Sequence, residues 1–248
     1  MTTLRSAWPR PGRVTLTLAG VLLGAYVLEL VLLRAGVDVL GAFALVPAEV
    51  AAGQVWRVAT YTVLHAPNGV GHLLFNLLTL VMFGGQLERV WGPRRLLLGY
   101  AVAALGGGLL TLAVGLAGGA IGGAFASLAV QPHIGASGAT TGLTLAWGLV
   151  HADREVMFAF LPPMRGRTFV IGMIIVELLV ALSYDAVSST SHLGGMAAAA
   201  LFTTGAWRPS VARGLLRRRS LQRKKRALEV ELRVIQGGRG KPDDDLLN

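Results

Sequence analysis

Apolar residues along this chain fall into six long runs, separated by clusters of Arg, Gly and Pro, and not into the stripes or alternations of a water-soluble domain. The runs are roughly Val14–Leu33, Val70–Val90, Leu96–Leu116, Ala136–His151, Phe169–Asp185 and Ser191–Trp207. A membrane-spanning helix needs ~20 such residues. The fourth and sixth runs are short for that, which places their ends inside the bilayer or beside water. The pattern predicts an all-α membrane protein with a cytoplasmic N-terminus at 1–13, a six-helix domain at 14–207 and a tail at 208–248. The stretch from Arg34 to Gly69 mixes polar, small and β-branched residues, and suits an interfacial loop on the outer side.

Composition agrees with this class. The chain has 248 residues, 53% hydrophobic and only 15% charged, so it is short of polar surface for a soluble domain. It has no Cys, which removes disulfides, Cys-ligated zinc and thiol catalysis. The net charge is +10, and most of it sits after Arg208. Membrane surface fits one basic segment better than nucleic acid does. The basic run from Arg217 to Arg226 has apolar residues interleaved, and either lies on anionic lipid or serves as a solvated helix that fixes orientation. Arg and Lys cluster before the first run, between the second and third, between the fourth and fifth, and after the sixth. Only Arg34 and Arg57 fall in the opposite loops, so both termini are expected in the cytoplasm. Twenty Arg against three Lys, with abundant Ala and Gly, points to a GC-rich bacterium and hence to a plasma membrane.

With that orientation the second, fourth and sixth helices run from outside to inside, and their N-terminal turns share one face. Those turns carry His72 and Asn76, Ser137, and His192 respectively. Polar side chains at membrane depth usually face the bundle interior or a wet cavity. His72 and Asn76 are four apart and share a helix face. Gly138 with Gly142, and Gly195 with Ala199, are small-residue pairs that let the fourth and sixth helices approach closely. A short Ser137–His192 contact needs that approach. Serine is a weak nucleophile until a base takes its proton, and His192 is placed to be that base. The Ser137 N–H, the Asn76 amide and the His72 imidazole are available as oxyanion donors. No Asp is placed to orient His192, so a dyad is the economical arrangement.

These residues resemble the rhomboid family of intramembrane serine proteases. Gly53-Gln-Val-Trp56-Arg57 is similar to the family's first-loop motif, and His72-Leu-Leu-Phe75-Asn76 to its second-helix motif, followed by Gly84-Gly85 and Glu88. Gly135-Ala-Ser137-Gly138 resembles the nucleophile motif, and His192-Leu-Gly-Gly195 the sixth-helix histidine motif. The match runs from about Gly53 to Ala199. The resemblance implies a six-helix rhomboid-like bundle that cleaves transmembrane protein substrates near the extracytoplasmic side. Ser137 would be nucleophile, His192 base and acid, and His72, Asn76 and Ser137 oxyanion donors, without metal, cofactor or third triad residue. Phe75 matches a position at the lateral substrate entrance between the second and fifth helices. One position departs from the pattern. Thr141 stands where many members carry an aromatic ring against the catalytic imidazole, so a Thr141 hydroxyl or an apolar neighbour is expected to orient His192.

Other polar residues read as structural. Glu88 is expected to tie helix ends together, and Arg57 to hold the external loop by hydrogen bonds. His65, His133 and His151 sit in loops or at helix ends. Glu29 and Glu177 lie within spans and are costly unless paired; bundle hydrogen bonds are favoured over a proton relay, with partners that the sequence does not place. Two other functions compete: a weak or inactive rhomboid-like protein that binds membrane clients, and a solute transporter. The first predicts loss of the Ser or His, the second an inverted repeat or broken helix, and none of these is found.

Overall fold

A computed structural model describes residues 11–156, 162–183 and 186–206, together with Leu221, Lys224 and Leu228. Compact units are formed by Met1–Thr204 and Gly205–Asn248. In the second, Leu221, Lys224 and Leu228 are exposed and helical; the rest of the basic tail expected at 208–248 lies outside the described residues, as do residues 1–10 of the expected N-terminus.

The first unit is almost wholly helical. Its long helices are α1 (Arg13–Arg34), α2 (Val70–Trp91), α3 (Pro93–Ile121), α4 (Ser137–Val150), α5 (Gly166–Ser183) and α6 (Ala186–Thr204). By length and composition, α1, α2 and α3 can each cross a membrane. Between α1 and α2 the chain makes short helical turns at Val39–Phe43, Pro47–Ala51, Arg57–Thr60 and Tyr61–Val63. A two-residue antiparallel pairing, Glu155–Val156 with Met164–Arg165, precedes α5.

The core is apolar, and so is much of the outer surface. In α1 the residues facing inward include Thr15 and Glu29, whereas Val21, Leu28 and Val31 are each more than half exposed. Leu74, Phe75 and Leu78 on α2, and Ile171, Val176 and Leu179 on α5, also point outward. A surface this apolar suits lipid and not water.

Gly92 separates α2 from α3 by a single residue. Its φ of +80° is a backbone conformation that favours glycine, and Pro93 then starts α3, where a missing N–H costs nothing. The α2 helix widens at Leu80–Gly84 into a π-helical turn that ends at the Gly84-Gly85 pair. Nearby, the Glu88 carboxylate accepts hydrogen bonds from the Val14 N–H (3.0 Å), the Thr15 N–H (2.9 Å) and the Thr15 hydroxyl (2.7 Å). Three donors at the start of α1 are thereby satisfied by one side chain.

The centre of the bundle is α4, buried along its length from Gly138 to Gly148. It packs against α6 and α3 through glycine. A Cβ on Gly142 would stand 2.7 Å from both the Ala103 Cβ and the Gly195 carbonyl oxygen, and one on Gly195 would collide with the Gly138 backbone. At the far end, Trp147 meets Phe83 edge-on at 4.9 Å and its indole N–H donates to Gln86 at 3.0 Å.

Two boundaries differ from expectation by five residues, and the first is the end of α3, which runs on to Ile121 past Leu116. The last helix starts at Ala186 and not at Ser191, so His192 lies nearly two turns inside it. Ser188, Ser189 and Thr190 are polar enough to end an apolar run, yet they continue the helix, with Ser189 fully buried.

Because backbone lies on both sides of the α4–α6 contact, neither side can yield. Gly195→Ala should destabilise the bundle by about 2–3 kcal/mol, measured as a lower unfolding midpoint in detergent; an unchanged midpoint would refute the contact.

Candidate active site

Gly135 sets up the start of α4. Its φ is +117°, and any Cβ there would sit 2.7 Å from the His72 ring. Glycine is required on both counts. The Gly135 N–H donates to the Tyr61 carbonyl at 2.9 Å, which anchors the turn to the segment before α2. Ala136 is fully buried, and Ser137 then opens α4 with no side-chain cap on the turn. Early N–H groups of a helix have no partner within it, and the dipole there is positive. The Thr141 hydroxyl donates to the Ser137 carbonyl at 2.6 Å.

His192 reaches the same place from α6. The glycine contacts described above draw the two helices together, and a Cβ on Gly138 would meet the Ser191 backbone at 2.9 Å. Of the two expected ways of orienting His192, a Thr141 hydroxyl or an apolar neighbour, the first is not seen, because the Thr141 hydroxyl is turned back to its own helix. His192 Nδ1 lies 2.8 Å from Glu177 Oε1 on α5.

Ser137, His192 and His72 line one cavity of about 420 Å³, together with Tyr61, His133 and Ser191. Three of the four polar residues expected to converge do so. Asn76 does not reach the wall. It is fully buried, its Nδ2 donates to His65 Nε2 at 3.1 Å, and its Oδ1 accepts from the Thr140 hydroxyl at 2.9 Å. Among the described residues no group of three His, Cys, Asp or Glu side chains is placed to hold a metal ion.

The remaining motif residues stand apart from the cavity. Arg57 is buried and donates to the Ala44 and Gly41 carbonyls at 2.6 Å each and to Gln54 at 2.8 Å, so it clamps the loop that follows α1. The Trp56 indole donates to the Ala42 carbonyl at 3.2 Å. Phe75 is exposed on the outer face of α2. His151 sits at the end of α4, its ring against Trp147.

Tyr61 and Thr140 escaped the sequence reading, whereas Glu177 was expected to hydrogen-bond within the bundle without its partner being placed, and His65 was read only as a residue in a loop or at a helix end. Tyr61 is buried, donates to the Ala104 carbonyl at 2.8 Å, and its phenol is pushed up to about 12 by that burial. His65 is fully buried, not interfacial, and its ring lies 5.4 Å from that of His72. Its backbone N–H donates to the Glu29 carboxylate at 3.1 Å. Since the Asn76 Nδ2 can only donate, His65 Nε2 must accept and the ring is neutral. Burial, with the neighbouring His72 second, lowers the His65 pKa to about 4.

A family model described as the rhomboid domain matches residues 52–209, which include every motif residue from Trp56 to Gly195. Rhomboid protease GluP of Bacillus subtilis is 31% identical over 147 residues, 59% of this chain and 25% of that protein. RHOMBOID-like protein 12, mitochondrial, of Arabidopsis thaliana is 31% identical over 140 residues, 53% of this chain and 41% of the relative. Rhomboid protease GlpG of Haemophilus influenzae is 43% identical over 51 residues, 21% and 26% of the respective lengths. The matched region thus spans well under half of each of these relatives.

The neutral His65 makes stability depend on pH. Its pKa falls from 6.5 to about 4 on folding, so the unfolded chain binds the extra proton between those values. The fold is fully stable with respect to this group above pH 6.5 and loses up to about 3 kcal/mol as pH falls to 4. In His65→Gln that part of the pH dependence should vanish from unfolding curves taken between pH 7 and 4.

Proposed function

The chain belongs to the rhomboid family, and from that premise we propose that it is an intramembrane serine endopeptidase acting on transmembrane proteins. The observation that carries this reading is the shared cavity of Ser137 and His192, two residues 55 positions apart that glycine contacts between α4 and α6 draw together. The chain is an integral membrane protein by its family and its apolar helices. In the proposed topology all six long helices cross the bilayer, both termini face the cytoplasm, and cleavage occurs near the extracytoplasmic face of a bacterial plasma membrane. The cation distribution supports that orientation. Phe75, exposed on α2, would border the route by which a substrate helix enters between α2 and α5. The tail from 208 would rest on anionic lipid.

His192 Nε2, the ring nitrogen not engaged by Glu177, takes the proton of Ser137 as Oγ attacks the scissile carbonyl. The tetrahedral oxyanion is met by the Ser137 N–H and the His72 imidazole, both at the cavity. Asn76 stands behind them with one amide hydrogen on His65 and a second to offer. His192 then gives its proton to the leaving amine. Water repeats the sequence in reverse and frees the acyl group from Ser137.

Reconstituted with a single-pass substrate, the wild type should yield one cut, and Ser137→Ala and His192→Ala should each lower the rate at least about 10³-fold. His72→Ala should cost about 10²-fold. Cleavage by folded Ser137→Ala at the wild-type rate would refute the assignment. No cleavage and no nucleophile reactivity in the wild type would favour an inactive, client-binding role.

A further inference from the structure

The α5 helix is a nearly uninterrupted apolar segment from Phe169 to Leu182, and its one carboxylate is Glu177. A carboxylate at membrane depth costs several kcal/mol unless it meets a partner. Glu177 meets the imidazole of His192 at 2.8 Å, with the two side chains only 14% and 22% exposed. The positions explain the meeting. Glu177 lies six residues before the end of α5 at Ser183, and His192 six residues after the start of α6 at Ala186. At 1.5 Å per residue they stand level on adjacent helices.

We propose that Glu177 is a positioning residue for His192, so that the site works as a Ser137–His192–Glu177 arrangement and not as a dyad. The proposal rests on the reading of Ser137 and His192 as nucleophile and base, and adds a residue to it. An ionised carboxylate only accepts hydrogen bonds, so the proton of a neutral His192 is held on Nδ1. Nε2 is thereby left with its lone pair, as the attack by Ser137 requires. When His192 takes the Ser137 proton it becomes an imidazolium, and Glu177 stabilises that charge without itself becoming protonated. Thr141, in the position expected to orient the ring, is bonded to the Ser137 carbonyl and does not compete. His72, His133 and Tyr61, which share the cavity wall, are the other titratable residues that line it beside His192.

A carboxylate that merely clips α5 to α6 would give the same distance, so the test must separate tautomer control from packing. Rates of reaction with a fluorophosphonate probe should be measured on the full chain in detergent, for wild type, Ser137→Ala, Glu177→Gln, Glu177→Asp and Glu177→Leu, alongside thermal midpoints. Gln and Leu are expected to lower the maximal rate about 10²-fold, with half-saturating probe concentration unchanged and Asp recovering part of the loss. Glu177→Gln reacting within twofold of wild type, in folded protein, overturns the role of Glu177 alone. Wild type reacting no faster than Ser137→Ala overturns the underlying assignment as well. Imidazole ¹⁵N NMR of the wild type needs no variant to fold: a neutral His192 with its proton on Nδ1 supports the proposal, and one protonated on Nε2 overturns it.

Discussion

The close approach of α4 and α6 is the constraint on which the rest depends. Helices bearing ordinary side chains stay 8–10 Å apart. Here Gly138, Gly142 and Gly195 carry no Cβ, and at Gly138–Gly195 and Gly142–Gly195 backbone rests against backbone. Ser137 begins one helix and His192 is embedded in the other, so the distance between them is set by that contact and not by loops. The neighbouring α3 is brought in the same way, since a Cβ on Gly106 would strike Ala198 and one on Gly107 would meet Ser191. Apolar packing gives these helices their cohesion, and the absence of side chains at three glycines lets Ser137 and His192 approach one cavity.

Behind the cavity a continuous polar chain fixes the orientation of the site. Glu29 on α1 accepts from the His65 backbone, His65 accepts from Asn76, and Asn76 accepts from Thr140, whose hydroxyl also lies 3.2 Å from the Ser137 carbonyl. The first three links are buried and the last is partly so, and each lost partner among the buried ones would strand a polar group away from water. The chain couples α1 and the segment after it to α2 and to the first turn of α4. In front, Glu177 joins α5 to α6 through the His192 ring. The Ser137 turn and the His192 ring are thus braced by different helices, which meet at the cavity.

Much of this was legible in the residues. Runs of apolar sequence located all six long helices to within a few residues at most ends, because long apolar runs need no periodicity to be recognised. The glycine pairs on the fourth and sixth helices, and the polar residues beside them, foretold which helices would touch. The start of α6 was not legible, since Ser188, Ser189 and Thr190 resemble a loop until a neighbouring helix buries them. His65 carried no local signal, for a histidine between helices has no face or register to read. Asn76 was expected at the cavity beside His72 and lies behind its wall, because its partners, His65 and Thr140, come from outside that helix. Glu177 could have been found by one further count. It stands 15 residues before His192 in the neighbouring apolar run, and an acid and a histidine in consecutive runs are a readable pairing.

The central claim is that Ser137 is the activated hydroxyl of this cavity and that His192 activates it. Ser188 and Ser191 line the same cavity, so reactivity alone does not identify the nucleophile. The decisive measurement is mass-spectrometric mapping of the residue modified when the purified protein is treated with a fluorophosphonate. A single adduct on Ser137, absent from folded His192→Ala, is the result expected. An adduct on Ser188 or Ser191, or one on Ser137 that persists without His192, would contradict the account.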